Sequence, residues 1–114
     1  MYNKYSNKKV NLGGEVFDSR LEARRYQVLR LLERAGEIHG LERQKAYELQ
    51  PAYTIGFRKV RPITYVADFV YYDKYNKLHI EDAKGYRTEV YKLKKKMFEY
   101  RYRIQIAEIT KEDQ

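Results

Sequence analysis

The apolar positions in the first third of the chain change from a hairpin pattern to a helical one. Residues 10–17 place strand-favouring side chains on either side of Gly13-Gly14, which predicts a short β-hairpin with a glycine turn. Ser19 and Glu22 then fit a capping box, in which each side chain satisfies a backbone N–H of the first helical turn. The apolar positions that follow predict a helix to about Ala35, where a glycine would end it.

The rest of the chain alternates between strand-favouring segments and a second helix. A polar connection over 40–45 is followed by a predicted strand over 46–55, which its proline places at an edge or bulge. The predicted elements after it are, in order, a basic loop over 56–62, strands over 63–72 and 78–84, a helix over 88–101, and a strand over 103–109. The second helix should turn four apolar residues inward, namely Val90, Leu93, Met97 and Tyr100. We therefore expect an α/β fold in which helices cover one sheet, as a single domain over 1–114 with residues 1–8 frayed.

Composition narrows the functional classes. A chain of 114 residues is shorter than a typical domain, so one modest core is expected. The chain has no cysteine and only two histidines, which excludes disulfides, zinc fingers, cysteine nucleophiles and iron–sulfur clusters and argues against a histidine-rich metal site. The lack of a long apolar run and of a signal-peptide core predicts a soluble cytoplasmic protein with no membrane partner.

Positive charge is concentrated towards the C-terminus. The net charge is +8, and residues 84–103 hold eight basic and two acidic residues, a net of +6, with tyrosines between them. Such a segment is typical of nucleic-acid binders, although a solvated surface helix has the same composition. With the predicted inward face, Lys95 is outermost, and the cations on the two flanks are expected to contact the DNA backbone. They are Arg87, Lys94 and Arg101 on one flank and Lys92 and Lys96 on the other.

Asp68 lies in the middle of the strongest predicted strand, where an unpaired carboxylate is costly to bury. If residues 74–76 form a three-residue turn with Asn76 left-handed, counting back along both strands puts Asp68 directly opposite Asp82. Alternation then places Lys84 on the same face. Two like charges opposite each other destabilise a sheet, and a divalent cation such as Mg²⁺ would remove the conflict because it prefers oxygen ligands. The alternative is a surface hairpin in which Lys84 forms a salt bridge with Asp82.

Two residues of the first helix have more than one interpretation. Glu22 is the third helical residue of the capping box, a role worth about 1 kcal/mol, and it would alternatively supply a third metal oxygen. Arg25 lies within the apolar arc, where it would pair with a site carboxylate, contact a DNA phosphate, or extend its charged end to solvent.

A metal held by the site acids would activate water and stabilise the leaving oxygen of a phosphodiester, with Lys84 orienting or deprotonating that water.

Asp68, followed after 13 residues by Asp82-Ala83-Lys84 and preceded by a helical Glu22, resembles the motif of the PD-(D/E)XK nuclease superfamily. Three longer runs carry a closer resemblance. They are Phe17-Asp18-Ser19-x-x-Glu22-Ala23-x-x-Tyr26, Ile63-Thr64-Tyr65-x-Ala67-Asp68-Phe69 and Glu81-Asp82-x-Lys84-Gly85. More closely, they are similar to a family of small phage and prophage proteins, classed as endonuclease-like and related to resolvases of branched DNA. The resemblance covers about Lys4 to Ile109. It implies a restriction-endonuclease-like core, made of a helix, a three-stranded mixed or antiparallel sheet, a helix and a strand, here preceded by the N-terminal hairpin.

The resemblance also assigns roles to the candidate residues. It implies that Lys84 is catalytic together with the site acids, and that the proline of the superfamily motif is replaced by Ala67. The ligands that it implies for Mg²⁺ or Mn²⁺ are Asp68, Asp82, Glu22 and the backbone carbonyl of Ala83.

Together these features predict a metal-dependent DNA endonuclease that hydrolyses phosphodiester bonds in duplex or branched DNA. A two-fold homodimer would let it cut both strands symmetrically. The alternative is a non-catalytic basic nucleic-acid-binding module of a phage replication or recombination complex. Paired acids distinguish the two hypotheses, because binding does not need them and they repel phosphate. Under either hypothesis, the resemblance implies a phage or prophage protein in the cytoplasm of a bacterial host.

Overall fold

The structure is a computed structural model that describes residues 9–111. Within that range the elements are, in order, β1 (Val10–Leu12), β2 (Glu15–Phe17), α1 (Arg20–Arg34), β3 (Ile38–Gln50), β4 (Tyr53–Ile55), β5 (Arg58–Val60), β6 (Ile63–Asp73), β7 (Leu78–Ala83), α2 (Glu89–Tyr102) and β8 (Ile106–Ile109). Residues 1–8, which the sequence predicts to be frayed, lie outside the described residues.

Four strands form the main sheet, in the order β3-β6-β7-β8. The β3–β6 and β6–β7 pairs are antiparallel and the β7–β8 pair is parallel, so the sheet is mixed. Helix α2 makes the crossover that a parallel pair requires. The β1–β2 and β4–β5 pairs are separate two-stranded hairpins. The predicted α/β architecture, with an N-terminal hairpin and helices against one sheet, is confirmed.

The two helices cover opposite faces of this sheet. One buried cluster includes Leu29 of α1, and the other includes Phe98 of α2. Successive side chains of a strand point to opposite faces, and β7 shows the division. Ile80 belongs to the α2 cluster, whereas Glu81 binds Arg25 of α1. Chemistry placed on β7 is therefore enclosed between helices on both sides.

Two segments without an apolar pattern are nevertheless strands, so their predicted assignments are wrong. Residues 40–45, predicted as a connection, lie inside β3, and the predicted loop over 56–62 contains β5. β3 is an edge strand, so polar side chains are tolerated on it while its backbone pairs with β6. Pro51 separates β3 from β4 within the predicted 46–55 strand, because proline cannot donate to a ladder.

Helix α2 has nearly the predicted bounds but a different inward face. Thr88 caps it as predicted, because its Oγ1 accepts a hydrogen bond from the backbone N–H of Tyr91. The buried residues are Tyr91 and Phe98, so the predicted face is wrong. Two aromatic rings seven residues apart bury more apolar area than the aliphatic stripe, and the helix is rotated by about one residue, or roughly 100°, to bury them. The predicted inward residues that are instead exposed are Val90, Leu93 and Tyr100.

Candidate metal and phosphodiester site

The turn between β6 and β7 sets the register that brings two acids together. The N–H of Asp73 donates to the carbonyl oxygen of Lys77 at 3.0 Å, and Asn76 is left-handed with φ 63°. Phe69 pairs with Glu81, and continuing the register by one residue places Asp68 opposite Asp82. The predicted turn and the predicted register are confirmed as far as the pair Phe69–Glu81, and Asp68 and Asp82, one residue beyond it, interact electrostatically. The turn and the register follow from local chemistry, because asparagine tolerates a positive φ and a three-residue turn leaves only one alignment.

Of the two facing acids, Asp82 is buried and Asp68 is half-buried. Asp82 is 1% exposed, and one carboxylate oxygen of Asp68 accepts the N–H of Ala83 at 2.9 Å. Burial, the facing carboxylate of Asp82 and the nearby Glu22 raise the pKa of Asp68 to about 8. Two carboxylates that face each other resist being charged together, so without a cation the Asp68–Asp82 pair retains a proton near neutral pH.

Lys84 supplies a positive charge beside this pair. Its Nζ lies 2.9 Å from Oδ1 of Asp82, and it also lies 4.3 Å from the centre of the Tyr91 ring. That Oδ1 atom is buried without an aligned hydrogen-bond donor, while Oδ2 accepts a short hydrogen bond from the hydroxyl of Tyr65. The salt bridge of the surface-hairpin alternative is therefore present, but in a buried setting, where Lys84 and Tyr65 each contact one oxygen of Asp82.

Glu22 combines a structural position with a place near the site. Its backbone N–H donates to Oγ of Ser19 at 3.1 Å, which is the Ser19 half of the predicted capping box, whereas its carboxylate binds residues of β3 instead of returning to Ser19. Glu22 as a whole is 4% exposed. Its carboxylate accepts hydrogen bonds from Arg43 at 3.3 Å and from Gln44 at 3.2 Å. Burial raises its pKa, and the Arg43 guanidinium partly opposes that effect. The side chain is thus directed to the sheet rather than to solvent.

Gln44 connects the helical acid with the strand acid. Its Nε2 donates to Oε1 of Glu22 and to Oδ1 of Asp68, both at 3.2 Å. It is left-handed within β3, with φ 53°, and lies across from Asp68 because Arg43 pairs with Phe69 and Lys45 with Ala67. A non-glycine residue held in this region costs about 1–3 kcal/mol, and such positions concentrate at functional sites.

The strand β6 changes face at the same place. Tyr65 packs against Phe98 of α2, with ring centroids 5.2 Å apart, whereas Phe69 stacks with Tyr26 of α1 at 6.1 Å. Strict alternation would put Tyr65 and Phe69 on one face. Asp68 therefore sits where the sheet is locally twisted, between the two cores and at the edge of both.

The oxygen atoms around Asp68 suit a hard divalent cation in type but are not gathered around one point. Within residues 9–111, no three acidic or histidine side chains already converge at metal-ligand geometry. The amide of Gln44 lies between Glu22 and Asp68, in the position of a bridging hydrogen-bond donor. The facing carboxylates of Asp68 and Asp82, with Lys84 against Oδ1 of Asp82, are the part of the set that fits Mg²⁺ or Mn²⁺ in ligand type, because these ions need only one or two carboxylates plus water and phosphate.

An open pocket of about 230 Å³ reaches Glu22, Asp68 and Lys84, while Asp82 lies buried behind its lining. Both helices begin at its rim, where Ser19 caps α1 and Thr88 caps α2, and the N-terminal end of a helix favours negative charge. Its lining comprises Asp18, Ser19, Glu22, Asp68, Ala83, Lys84, Gly85, Tyr86 and Thr88.

The predicted DNA-contacting cations fall into two groups. Several already have acidic partners: Arg87 lies 2.9 Å from Glu108, Lys92 3.2 Å from Glu89, and Arg101 3.5 Å from Glu48. Lys94 and Lys96 have no ion pair within residues 9–111, and Lys96 is exposed whereas Lys94 is half-buried. Lys95, predicted to be outermost, is half-buried and lies 3.3 Å from Glu108, because the helix is rotated.

Arg25 takes one of its three predicted alternatives, pairing with a carboxylate. Its Nε and NH2 atoms each donate to an oxygen of Glu81 at 2.7 Å, and Glu81 also accepts from the hydroxyl of Tyr71. Glu81 is 3% exposed, so this bidentate pair compensates a buried charge. Arg25 is held on the face of β7 opposite Asp82, and its contact with DNA stays a prediction that would require the pair to open.

Comparison with known proteins identifies the family. A family profile described as "Protein of unknown function (DUF1064)" matches residues 2–112. The chain belongs to the DUF1064 family. No curated protein and no solved structure matches it. Neither helix within residues 9–111 is long and apolar enough to cross a membrane.

Three further side chains of this DUF1064 protein belong to the site, although no sequence motif indicates them. Gln44 bridges two acids, Tyr65 donates to Asp82, and the ring of Tyr91 lies against Lys84. Burial and the charge of Asp82 raise the pKa of Tyr65, which keeps its hydroxyl a donor. Tyr65 lies three residues before Asp68 in the strongest strand, and Thr88 with Tyr91 fits a helix start. The sequence thus indicates a strand at Tyr65 and a helix start at Tyr91, but it specifies neither the contact of Tyr65 with Asp82 nor that of Tyr91 with Lys84.

Proposed function

We propose that this chain is a Mg²⁺- or Mn²⁺-dependent DNA endonuclease, and that its sheet and flanking helices form a restriction-endonuclease-like core. The observation that carries the proposal is the pair of facing acids, Asp68 and buried Asp82, with Lys84 beside them at the end of one hairpin. A protein gains no stability from two opposed carboxylates, one of which has a pKa raised to about 8. Their cost is understandable if they serve a cation.

Each side chain of the site has a distinct proposed role. Asp68 and Asp82 would hold the cation, the Ala83 backbone carbonyl would add a ligand, and Glu22 would join if the amide of Gln44 moved aside. When bound, Mg²⁺ supplies an activated water and stabilises the leaving oxygen of a phosphodiester. Lys84 would place its ammonium against a phosphate oxygen and orient the water.

The surroundings of the site are organised for this chemistry. Ala83 donates its N–H to Asp68, which holds the carboxylate towards β7. Tyr65 donates to Oδ2 of Asp82 and leaves Oδ1 for Lys84 and the cation. The ring of Tyr91 contacts the Lys84 ammonium and limits the directions in which it can point.

DNA is the proposed substrate because the chain is strongly basic and the pocket is open to a polymer. The net charge of +8 attracts phosphate, and the exposed cations include Lys92 and Lys96 of α2. A homodimer would allow both strands to be cut. The resemblance to phage and prophage proteins supports a role in the bacterial cytoplasm on branched DNA intermediates.

The test is cleavage of a supercoiled plasmid and of a synthetic four-way junction, in Mg²⁺ or in EDTA. We expect the wild type to cut in Mg²⁺ only, and Asp82→Asn to lose at least about 100-fold in rate while binding DNA at least as tightly. Glu42→Gln, which removes an exposed acid of β3, is the matched control and should cut normally.

The outcome also separates the two hypotheses. Tight DNA binding with no cleavage under any divalent metal would overturn the endonuclease proposal and leave the non-catalytic module. An Asp82→Asn protein that cuts as fast as the wild type would remove the assigned site.

A further inference from the structure

The β4–β5 hairpin projects from the sheet as an arm that nothing else in the described chain covers. We name residues 51–62 the basic arm. Residues 51–59 are all exposed, and β4 and β5 pack mainly on each other. An isolated two-stranded hairpin is at best marginally stable in water, so its exposed apolar side chains contribute little to the fold.

The tip of the basic arm presents an aromatic ring to solvent. Ile55 pairs with Arg58, so Gly56 and Phe57 form a two-residue turn. Gly56 has φ 59°, a conformation that glycine adopts without strain and that suits a tight hairpin. Phe57 is fully exposed at this tip, and Ile55 is more than half exposed beside it. A large apolar side chain held at the end of a narrow arm has the shape of a wedge.

The arm is also positively charged without compensation. There is no acidic residue between Glu48 and Asp68, and the arm carries Arg58, Lys59 and Arg61. None of these three cations forms an ion pair with an acid of residues 9–111, in contrast with Arg87, Lys92 and Arg101 near or on α2. Charges left unpaired around an exposed ring complement a polyanion with accessible aromatic faces, which is a nucleic acid.

We propose that the basic arm binds DNA at unstacked bases, with Phe57 stacking on a base while Arg58, Lys59 and Arg61 contact the backbone. The inference rests on the DNA-binding part of the proposed function and not on catalysis. Apolar wedges of this kind enter base steps most easily where the stack is already broken. The arm would therefore make the protein prefer single strands, flaps or junctions over continuous duplex.

The arm is connected to the candidate site by rigid elements. β3 and β6 carry Gln44 and Asp68, and the same two strands carry the arm at their far ends. Asp68 is five positions after Ile63 along β6, which corresponds to about 17 Å at 3.3 Å per residue. DNA held at the arm would thus extend along the same two strands that carry the acids.

The experiment compares DNA binding in EDTA, where no cleavage occurs, by fluorescence anisotropy. The ligands are a single strand, a four-way junction and a matched duplex. The variants are Phe57→Ala, Phe57→Trp and Tyr75→Ala, the last being a control aromatic in the turn at the other end of β6. Circular dichroism checks that each variant is folded.

We expect Phe57→Ala to weaken single-strand and junction binding by roughly 5- to 150-fold, the range for removing one stacked base, with duplex binding nearly unchanged. Phe57→Trp should keep the wild-type preference for single strand and junction over duplex, because tryptophan also stacks on bases. Tyr75→Ala should bind all three ligands like the wild type.

Other outcomes overturn the proposal in distinguishable ways. If Phe57→Ala weakens binding equally on duplex and single strand, or does not weaken it, the tip does not recognise unstacked bases. Mg²⁺-dependent cleavage by the same preparation would leave the endonuclease proposal intact in that case. A wild type that binds no DNA would overturn both, and the exposed ring would then fit a protein partner instead.

Discussion

Replacing Asp68 with asparagine should stabilise the metal-free protein at alkaline pH. The carboxyl group has a pKa raised to about 8 because it is buried and faces Asp82 and Glu22. Asparagine has nearly the same shape and no charge, and its side-chain oxygen can still accept the N–H of Ala83, which is 2.9 Å from the Asp68 carboxylate. The substitution therefore removes the repulsion and keeps the hydrogen bond from Ala83, while the hydrogen bond from Gln44 to the other oxygen is lost.

The sign follows from where the proton is held. The folded protein keeps a proton on Asp68 up to about pH 8, whereas the unfolded chain releases it near 3.8. Stability from this group is therefore full below about pH 4 and is lost progressively as pH rises to about 8. A difference of about four pKa units at about 1.4 kcal/mol each gives an upper bound near 6 kcal/mol. Side-chain relaxation and water entry reduce this, and we expect about 2–4 kcal/mol at pH 8.

The assay is urea unfolding of wild type and Asp68→Asn in EDTA at pH values from 5 to 9. The difference in free energy of unfolding between the two proteins should increase with pH. Saturating Mg²⁺ should raise the urea midpoint of the wild type and reduce this difference, because the cation neutralises the carboxylate pair. Asp73→Asn is a control of opposite sign. His79 and the turn N–H groups lower the pKa of Asp73 to about 2, so its replacement should destabilise the protein. Parallel curves for wild type and Asp68→Asn, or a less stable Asp68→Asn protein at pH 8, would refute the reasoning.

Three further predictions concern the neighbouring residues. Glu22→Gln keeps the helix cap, so unfolding in EDTA should change little, but Mg²⁺-dependent cleavage should fall at least about tenfold if the carboxylate is a ligand. Arg25→Ala leaves Glu81 charged and buried, so urea unfolding should show a destabilisation of about 3–5 kcal/mol, and a double change of Arg25 and Glu81 to leucine should cost less. Replacing Lys92 and Lys96 with glutamine should reduce the slope of log affinity against log salt by roughly 0.9 for each phosphate that the protein no longer neutralises.

Each of these has a result that contradicts it. Full cleavage by Glu22→Gln would assign Glu22 to the cap alone. An Arg25→Ala protein of wild-type stability with weaker DNA binding would return Arg25 to the DNA surface. An unchanged salt slope after both lysine changes would move the backbone-binding surface from α2 to the basic arm.

The acids and the lysine could be predicted because short-range rules determine their arrangement. A three-residue turn with Asn76 left-handed fixes the register of β6 against β7, which brings Asp68 close to Asp82, and alternation along β7 puts Asp82 and Lys84 on one face. The cap at Ser19 is equally local. Neither depends on how the helices pack on the sheet. The change of face of β6 at Asp68 is not part of these local rules.

The interactions that could not be predicted depend on long-range packing. The predicted orientation of α2 is wrong because an aliphatic stripe and an aromatic pair share the helical period, and only the sheet decides which is buried. Arg25 and Glu81 are 56 residues apart, so their pairing requires the fold. Gln44 lies in a segment without an apolar pattern, and its left-handed conformation has no sequence signal.

The most direct test of the central claim is the position of a bound metal. Crystals of the protein, free and with a short DNA oligonucleotide, would be soaked in Mn²⁺ and measured for anomalous scattering. The account predicts a peak in contact with the carboxylates of Asp68 and Asp82, with the amide of Gln44 displaced if Glu22 also binds. Anomalous maps with no peak at these acids in either crystal, or with peaks only elsewhere, would contradict the claim that this hairpin holds a catalytic metal.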